Sequence, residues 1–320
     1  MSRRIKIGTR GSALAIVQAK KVESALKQKF PDLETEIIEI RTAGEWVPGT
    51  GEIPLSSHEG GKGLFVSAIE KEIKTHAVDI GVHSLKDVPS FLPEGLALNH
   101  FLKAGPPQDC FISTRYKTFS DMPPGTVVGS TSPRRRAIIK TQKPGLEVMN
   151  IRGNVPTRIQ KLSKGGYDAI ILSAAGLDRL GMRDHINHDF DTEGFVPACG
   201  QGIIAVETRK DDEDIQNFLD VISCRSTCIR AAAERTFLQV LKGSCHTPVG
   251  VFAGYDGGAN TISMHCFLGS PQGTWHIRHT IKADCFSPVD AENAGNALAR
   301  QIISEISTEQ MAEIGLEGHV

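Results

Sequence analysis

Three strand-to-helix turns of this chain carry arginine where the positive end of a helix disfavours a cation. Ile5-Lys6-Ile7-Gly8-Thr9 reads as a strand, followed by Arg10-Gly11-Ser12 and a helical run from Ala13. Thr126 to Gly129 reads as a second strand, followed by Ser130-Thr131-Ser132-Pro133 and Arg134, Arg135 and Arg136. Leu146 to Ile151 reads as a third, followed by Arg152-Gly153-Asn154 and a helix that carries Arg158. A cation in a first helical turn costs roughly 0.3–1 kcal/mol. Helix N–H groups beside guanidinium forks nevertheless make a strong anion trap, with charge-assisted bonds contributing about 1.5–3 kcal/mol each. The repetition points to a small ligand with several carboxylates or phosphates. A single arginine would instead read as an ordinary solvated charge, and Arg136 points elsewhere on its helix.

Two further segments have chemical potential. His83-Ser84-Leu85-Lys86-Asp87-Val88-Pro89 ends a buried strand. Asp87 is there either a turn or cap residue, or a carboxylate that balances a developing cation, with Lys86 facing an anion. Gly243-Ser244-Cys245-His246-Thr247-Pro248 follows a long helix for which Gly243 reads as the C-terminal cap. Cys245 in that loop is either an inert thiol or a nucleophile and covalent anchor near cations. Cys224 and Cys228 share a helix face without further ligands, and His185 and His188 lack a completing set, so no metal is expected. Gly8-Thr9-Arg10-Gly11-Ser12 and Gly60-Gly61-Lys62-Gly63 have neither the Walker A nor the dinucleotide spacing.

The elements that must position these groups alternate. Strands are expected at 5–9, 35–41, 78–83, 96–102, 109–113, 126–129, 146–151 and 168–172, and helices at 12–29, 63–75, 133–142, 155–164 and 211–220. Such alternation predicts α/β units with parallel strands. Lys103 to Pro107 and Pro197 to Gly202 read as two crossings between lobes, leaving a cleft faced by the arginine turns. The expected division is 1–102 with 203–222 returning, 103–202, and a smaller α+β domain over 223–320. In that last part a helix is expected at 224–242, strands near 248–255, 261–268 and 274–282, and a helix near 288–306, with a frayed tail from Thr308. Thr42 to Gly61 is rich in glycine and proline and reads as a lid or a variable surface loop.

Composition narrows the function. The chain has 320 residues, 36 Lys plus Arg against 37 Asp plus Glu, and a formal charge of −1, which argues against a nucleic-acid partner. No apolar run approaches the roughly 18–20 residues of a membrane span. Met1-Ser2-Arg3-Arg4 passes straight into a strand, and seven cysteines form no paired framework. Both observations lead us to expect a cytoplasmic protein.

Taken in order over residues 4–306, these motifs resemble the porphobilinogen deaminase (hydroxymethylbilane synthase) family. The matching pieces include Ile7 to Ser12, Gly60 to Phe65, His83 to Pro89, Ser130 to Arg135 and Ile151 to Arg158. They continue through Ala174 to Gly181, Pro197 to Gly202, Ala233-Glu234-Arg235 and Gly243-Ser244-Cys245. The resemblance implies two lobes similar to a type-II periplasmic binding protein and a third domain holding a dipyrromethane cofactor by a thioether, here to Cys245. It implies head-to-tail condensation of four porphobilinogen molecules with release of ammonia, then hydrolysis to hydroxymethylbilane, by a monomer without metal. It implies that Arg10, Arg134, Arg135, Arg152, Arg158 and Arg179 hold pyrrole carboxylates, assisted by Ser12, Lys86 and Ser132. Asp87 would hydrogen-bond pyrrole N–H groups and stabilise positive charge. Departures from the usual pattern fall at Thr42 to Pro54, Pro133, Cys199 and His246-Thr247. A two-lobed anion-binding protein without catalysis is the alternative, and it leaves Cys245 unexplained.

Overall fold

The computed structural model describes residues 4–41, 63–244 and 246–316. Cys245 and the segment Thr42 to Gly61, with the expectations attached to them, lie outside the described residues.

The first sheet is built from β1 (Arg4–Arg10), β2 (Glu34–Ile40), β3 (Ile80–Ser84), β4 (Leu96–Phe101) and β10 (Ile204–Arg209), in the order β2-β1-β3-β10-β4. β1 pairs in parallel with β2 and β3, whereas β10 runs antiparallel to β3 and β4. α1 (Ala13–Lys29) and α6 (Glu213–Ile222) cover one face, where Ile5, Ile7, Val22, Ile80, Val82, Ile204 and Val206 are buried together. α2 (Gly63–Lys74) covers the other, with Ile69 and Ile73 against Val78 and Leu96. Strands buried on both faces read as continuous apolar runs, and the Ile80–His83 stretch is buried throughout.

The second sheet repeats the plan with β5 (Asp109–Ser113), β6 (Val127–Gly129), β7 (Glu147–Met149), β8 (Ala169–Ser173) and β9 (His188–Asp189), in the order β7-β6-β8-β5-β9. β6 is parallel to β7 and β8, and β5 is antiparallel to β8 and β9. α3 (Pro133–Gln142), α4 (Val155–Ser163) and α5 (Ala174–Arg179) follow β6, β7 and β8. Both sheets are therefore mixed, and the expectation of parallel strands is corrected at β10 and β5. Each of these antiparallel strands adjoins a crossing. The crossings are bonded to each other by Gly105 N–H to Gly202 O at 2.9 Å and Leu102 N–H to Ile204 O at 3.2 Å. Gly202 has φ +88°, and a Cβ there would sit 2.7 Å from the Gly105 carbonyl oxygen, so only glycine allows this approach.

The third unit is an antiparallel sheet of β11 (Val249–Asp256), β12 (Thr261–Gly269) and β13 (His276–Asp284), packed against α7 (Arg225–Val240) and α8 (Pro288–Glu305). Its core joins Ile229, Phe237, Val251, Met264, Leu298 and Ile302. The two helices touch at Gly295, where a Cβ would lie 2.2 Å from Ala233 O. Phe267, also on β12, instead joins the core of the second sheet, so this unit is seated on that lobe.

The tail is not frayed at Thr308. α9 (Thr308–Glu313) forms behind a Ser307–Gln310 capping box, and Glu313 accepts bonds from Ser270 Oγ and Trp275 Nε1, both at 2.6 Å. The cap of α7 also differs from expectation. Lys242 takes the left-handed position (φ +50°), while Gly243 donates to Leu238 O at 3.1 Å. Gly243 is needed for space, because a Cβ would meet Leu238 Cδ1 at 2.7 Å.

Candidate active site

The groups singled out in the sequence sit at the carboxyl ends of neighbouring strands. β1 ends at Arg10 and its neighbour β3 ends at Ser84, so the Arg10-Gly11-Ser12 turn and the Lys86–Asp87 turn are adjacent. Ser12 caps α1 by accepting from Ala15 N at 3.4 Å, and Gln18 of that helix donates to Ser84 Oγ at 2.7 Å. β3 stops at Ser84, and Leu85–Asp87 forms one 3-10 turn closed by Val88 N–H to Leu85 O at 3.1 Å. Strand alternation therefore does not extend through Lys86 and Asp87. Leu85 plugs the core below them, and Gly200 (φ +71°) approaches it so closely that a Cβ would lie 2.6 Å from Leu85 Cγ.

In the second lobe, β6 and β7 are neighbours, which brings the Ser130–Ser132 turn beside Arg152. Ser132 caps α3 by accepting from Arg135 N at 3.4 Å, with Pro133 in the first turn. Asn154 caps α4 by accepting from Thr157 N at 2.9 Å. Gly153 precedes it at φ +107°, and Arg158 Nε donates to its carbonyl at 2.8 Å. Neither α3 nor α4 has an acidic residue in its first turn to compete for an incoming anion.

Arg134 and Arg135 have a destination that their position in the sequence does not reveal. Both guanidiniums turn inward onto Asp109, at 2.7 Å from Arg134 Nη2 to Oδ2 and 2.6 Å from Arg135 Nη2 to Oδ1. Arg134 also donates to Val196 O at 2.6 Å and Arg135 to Ile171 O at 2.8 Å. The three residues are 3%, 7% and 0% exposed in the order Arg134, Arg135, Asp109. Burial alone pushes the Asp109 carboxyl up. Arg134 and Arg135, together with bonds from Arg135 and Gln201, outweigh it and hold the group well below the usual carboxylate range. Two guanidiniums against one carboxylate leave this buried triad with a net positive charge beneath the Ser132 turn.

Gln201, wholly buried in the return crossing, extends the network. Its Nε2 donates to Asp109 Oδ1 at 2.9 Å and Pro107 O at 2.7 Å, while its Oε1 accepts from Lys86 Nζ at 3.3 Å. Its own carbonyl accepts from Arg230 Nη2 at 2.8 Å. Arg230 Nε in turn meets Glu234 Oε1 at 2.6 Å, and Glu234 accepts from Gly200 N at 2.6 Å and Ala253 N at 3.0 Å. One residue, through its side-chain amide and its main-chain carbonyl, thus joins both lobes and the third unit. Asp109 and Gln201 received no role from the sequence, since their partners lie 26 and 92 positions away.

The residues flanking Cys245 are tied to both lobes. On one side, Gly243 O accepts from Ser90 Oγ at 3.3 Å, three residues beyond Asp87. On the other, Val251 N–H donates to Pro197 O at 3.0 Å, and Gly250 presses so closely that a Cβ would meet Val196 O at 2.7 Å and Arg134 Cδ at 3.1 Å. Ser244 N–H donates to Thr247 Oγ1 at 3.0 Å and Thr247 N–H to Ser244 O at 3.2 Å.

Arg179 lies apart from these turns. It donates to Gly202 O at 2.5 Å and lines a cavity of about 430 Å³ with Lys21, Lys103, Gly105, Pro106 and Asp178. Asp87, Lys86 and Arg10 do not line that cavity, which sits at the crossings between α1 and α5. Burial lowers the Arg179 value to about 10. Among the described residues no cluster of His, Cys, Asp or Glu suits a metal ion, and no helix is long and apolar enough to cross a membrane.

Strand-end turns that present capped helix N-termini, cationic side chains and the Asp87 carboxylate define a class of protein suited to binding a polyanion. The match to known families is more specific. Residues 5–217 match the model described as porphobilinogen deaminase, dipyromethane cofactor binding domain, and residues 228–304 match the porphobilinogen deaminase C-terminal domain. The chain is 36% identical over 303 residues to a porphobilinogen deaminase of Ehrlichia chaffeensis, covering 95% of this chain and 98% of the relative. It belongs to the porphobilinogen deaminase family, transferases of tetrapyrrole biosynthesis that use a dipyrromethane cofactor and porphobilinogen as substrate. Among solved structures it is similar to the methionine-binding protein MetQ, with a TM-score of 0.43 and 12% identity over 72% of this chain and 94% of that one. It is also similar to the periplasmic VFT2 domain of Bordetella pertussis BvgS, with a TM-score of 0.40 and 14% identity over 68% and 86%.

Proposed function

We propose that Cys245 carries the dipyrromethane as a thioether and that Asp87 is the catalytic carboxylate of porphobilinogen condensation. The observation that supports this most directly is the anchoring of Gly243, two residues before Cys245 in the sequence, to Ser90 in the loop after Asp87. The donor set suits the group: two acid-bearing pyrroles need several cationic or N–H donors, and the turns at Arg10 and Ser12 in one lobe and at Ser132 and Arg152 in the other offer both. When bound, the cofactor supplies an electron-rich pyrrole carbon.

The chain's own residues do the rest. Arg10, Arg152 and Arg158 bind acetate and propionate groups, Ser12 and Ser132 direct helix N–H groups toward them, and Lys86, oriented by Gln201, adds a point charge. Arg134 and Arg135, already paired with Asp109, act on carboxylates chiefly through the net positive field of the triad. Arg179 braces the crossing at Gly202 and admits a carboxylate from the cavity it lines. Asp87 accepts a hydrogen bond from a pyrrole N–H, balances the positive charge that develops as ammonia departs, and accepts the proton lost when the ring regains aromaticity. Removing such a charge-stabilising group costs about 10²–10⁴ in rate. We assign the chain as a cytoplasmic monomer.

Intact-protein mass spectrometry tests the attachment. The expected mass exceeds the sequence mass by one dipyrromethane and returns to the bare value in Cys245→Ser. Asp87→Ala is expected to lower kcat by at least a hundredfold with carboxylate binding retained. A bare mass without porphobilinogen turnover would leave the non-catalytic anion-binding alternative standing.

A further inference from the structure

The loop that follows Asp87 is held by α7 through its main chain. Ser90 O accepts from Gln239 Nε2 at 2.8 Å and from Arg235 Nη2 at 3.1 Å, and Pro89 O accepts from the same Arg235 nitrogen at 3.3 Å. Ser90 Oγ reaches back to Gly243 O at 3.3 Å. Four bonds therefore converge on Pro89 and Ser90, which link the Asp87 turn to α7 and to Gly243. Burial pushes the Arg235 value down, and among the described residues the ion pairs of its neighbourhood run between Arg230 and Glu234, not to Arg235. A partly buried guanidinium directed at carbonyl oxygens is an expensive way to hold a loop. It is understandable where the position of that loop matters.

We propose that Ser90, Arg235 and Gln239 are positioning residues that fix the spacing between Asp87 and the Cys245 tether. The proposal rests on the assignment of those two residues made above. A tethered nucleophile gains its advantage from a near-attack geometry, and a misplacement of about 1 Å can cost on the order of a hundredfold in rate. The clasp bonds to main-chain carbonyls, so it sets the place of the Pro89–Ser90 backbone whatever the neighbouring side chains do. Helix α7 is continuous from Arg225 to Val240, which makes Arg235 and Gln239, one turn apart on one face, a rigid ruler.

The test compares Ser90→Ala, Gln239→Ala and their combination with Ser90→Thr, which keeps the hydroxyl. Steady-state kcat and KM for porphobilinogen are measured well below each unfolding midpoint, together with intact masses before and after a short pulse of substrate. The expected result is normal dipyrromethane mass, kcat lowered about tenfold to a hundredfold in Gln239→Ala and the double variant, KM within about threefold, and fewer pyrrole units added per pulse. Ser90→Thr restores the rate lost in Ser90→Ala. Two results would overturn the clasp. One is wild-type kcat and pulse pattern in the double variant, which a purely structural role allows even with a lowered midpoint. The other is a folded variant at the bare sequence mass, which puts the fault in attachment and not in spacing. If Gln239→Ala does not fold, Ser90→Ala decides alone, because it removes only one bond from a half-buried position. A wild-type protein at the bare mass and without turnover would instead overturn the Cys245 assignment, so the two failures are distinct.

Discussion

Asp109→Asn isolates the buried triad. Asp109 is wholly buried and bridges Arg134 at 2.7 Å and Arg135 at 2.6 Å. The amide keeps one acceptor and the side-chain shape but removes the only negative charge between two buried guanidiniums. Breaking a buried ion pair from one side costs about 3–5 kcal/mol, because the remaining charge is left desolvated. Each kcal/mol shifts Tm by roughly 2–4 °C for a unit of 150–250 residues, which gives a fall of about 6–20 °C. The shift should appear in the calorimetric transition that includes the second lobe, measured at pH 7. The acid limb gives an independent check. Asp109 titrates below its unfolded value of about 3.9, so its contribution is complete above that value and is lost as pH falls through the folded one. Wild-type and Asp109→Asn midpoints should therefore converge as the pH drops below about 4. The combined exchange Asp109→Leu, Arg134→Met, Arg135→Met removes all three charges, and apolar replacement of a buried ionic group is often neutral or stabilising by about 1–4 kcal/mol. It should recover stability while losing carboxylate affinity. A midpoint change below about 2 °C in Asp109→Asn, or a difference that does not narrow in acid, would refute this account of the triad.

Gly295→Ala drives a methyl into the Ala233 carbonyl, 2.2 Å from the ideal Cβ, and should force α7 and α8 apart at a cost of about 1–3 kcal/mol or more, read as a lowered denaturation midpoint. Thiol alkylation at pH 8 should proceed first at Cys224. Its burial opposes ionisation, but hydroxyl bonds from Ser226 and Thr227 outweigh that and lower its value. Cys110, Cys199 and Cys266, each pushed up to about 12 chiefly by burial, should stay unlabelled until the chain unfolds, and peptide mapping distinguishes the order. Labelling of Cys245 in cofactor-loaded protein would contradict its assignment as the attachment point.

Strand runs and helix caps were legible because they are local. Val78, Ile80 and Val82 recur at every second position, Ala169 to Leu172 is an unbroken apolar run, and Ser12, Ser132 and Asn154 are caps that name the helix following each. β10 was not read as a strand, because Ile204 to Arg209 follows the glycines of the crossing and its antiparallel place between β3 and β4 is set by partners more than a hundred residues earlier. α9 was missed for a similar reason. Its hold on Ser270 and Trp275 spans 43 and 38 positions, beyond any periodic signal. Arg134 and Arg135 show the limit most clearly. Their place in a first helical turn is visible in the sequence, but a side chain of that length can turn outward to a ligand or inward to Asp109, and only the fold decides.

The network through Gln201 also says how the lobes can move. Hinge motion redistributes bonds that cross between units, and the weakest there should yield first. Both bonds have one charged partner, but Gln201 to Asp109 is 2.9 Å long and buried, whereas Lys86 Nζ to Gln201 Oε1 is 3.3 Å and only half-buried. Bonds to a charged partner in a dry site are stronger than those shared with water. An opening of the lobes is therefore expected to stretch the Lys86–Gln201 bond before the Gln201–Asp109 bond.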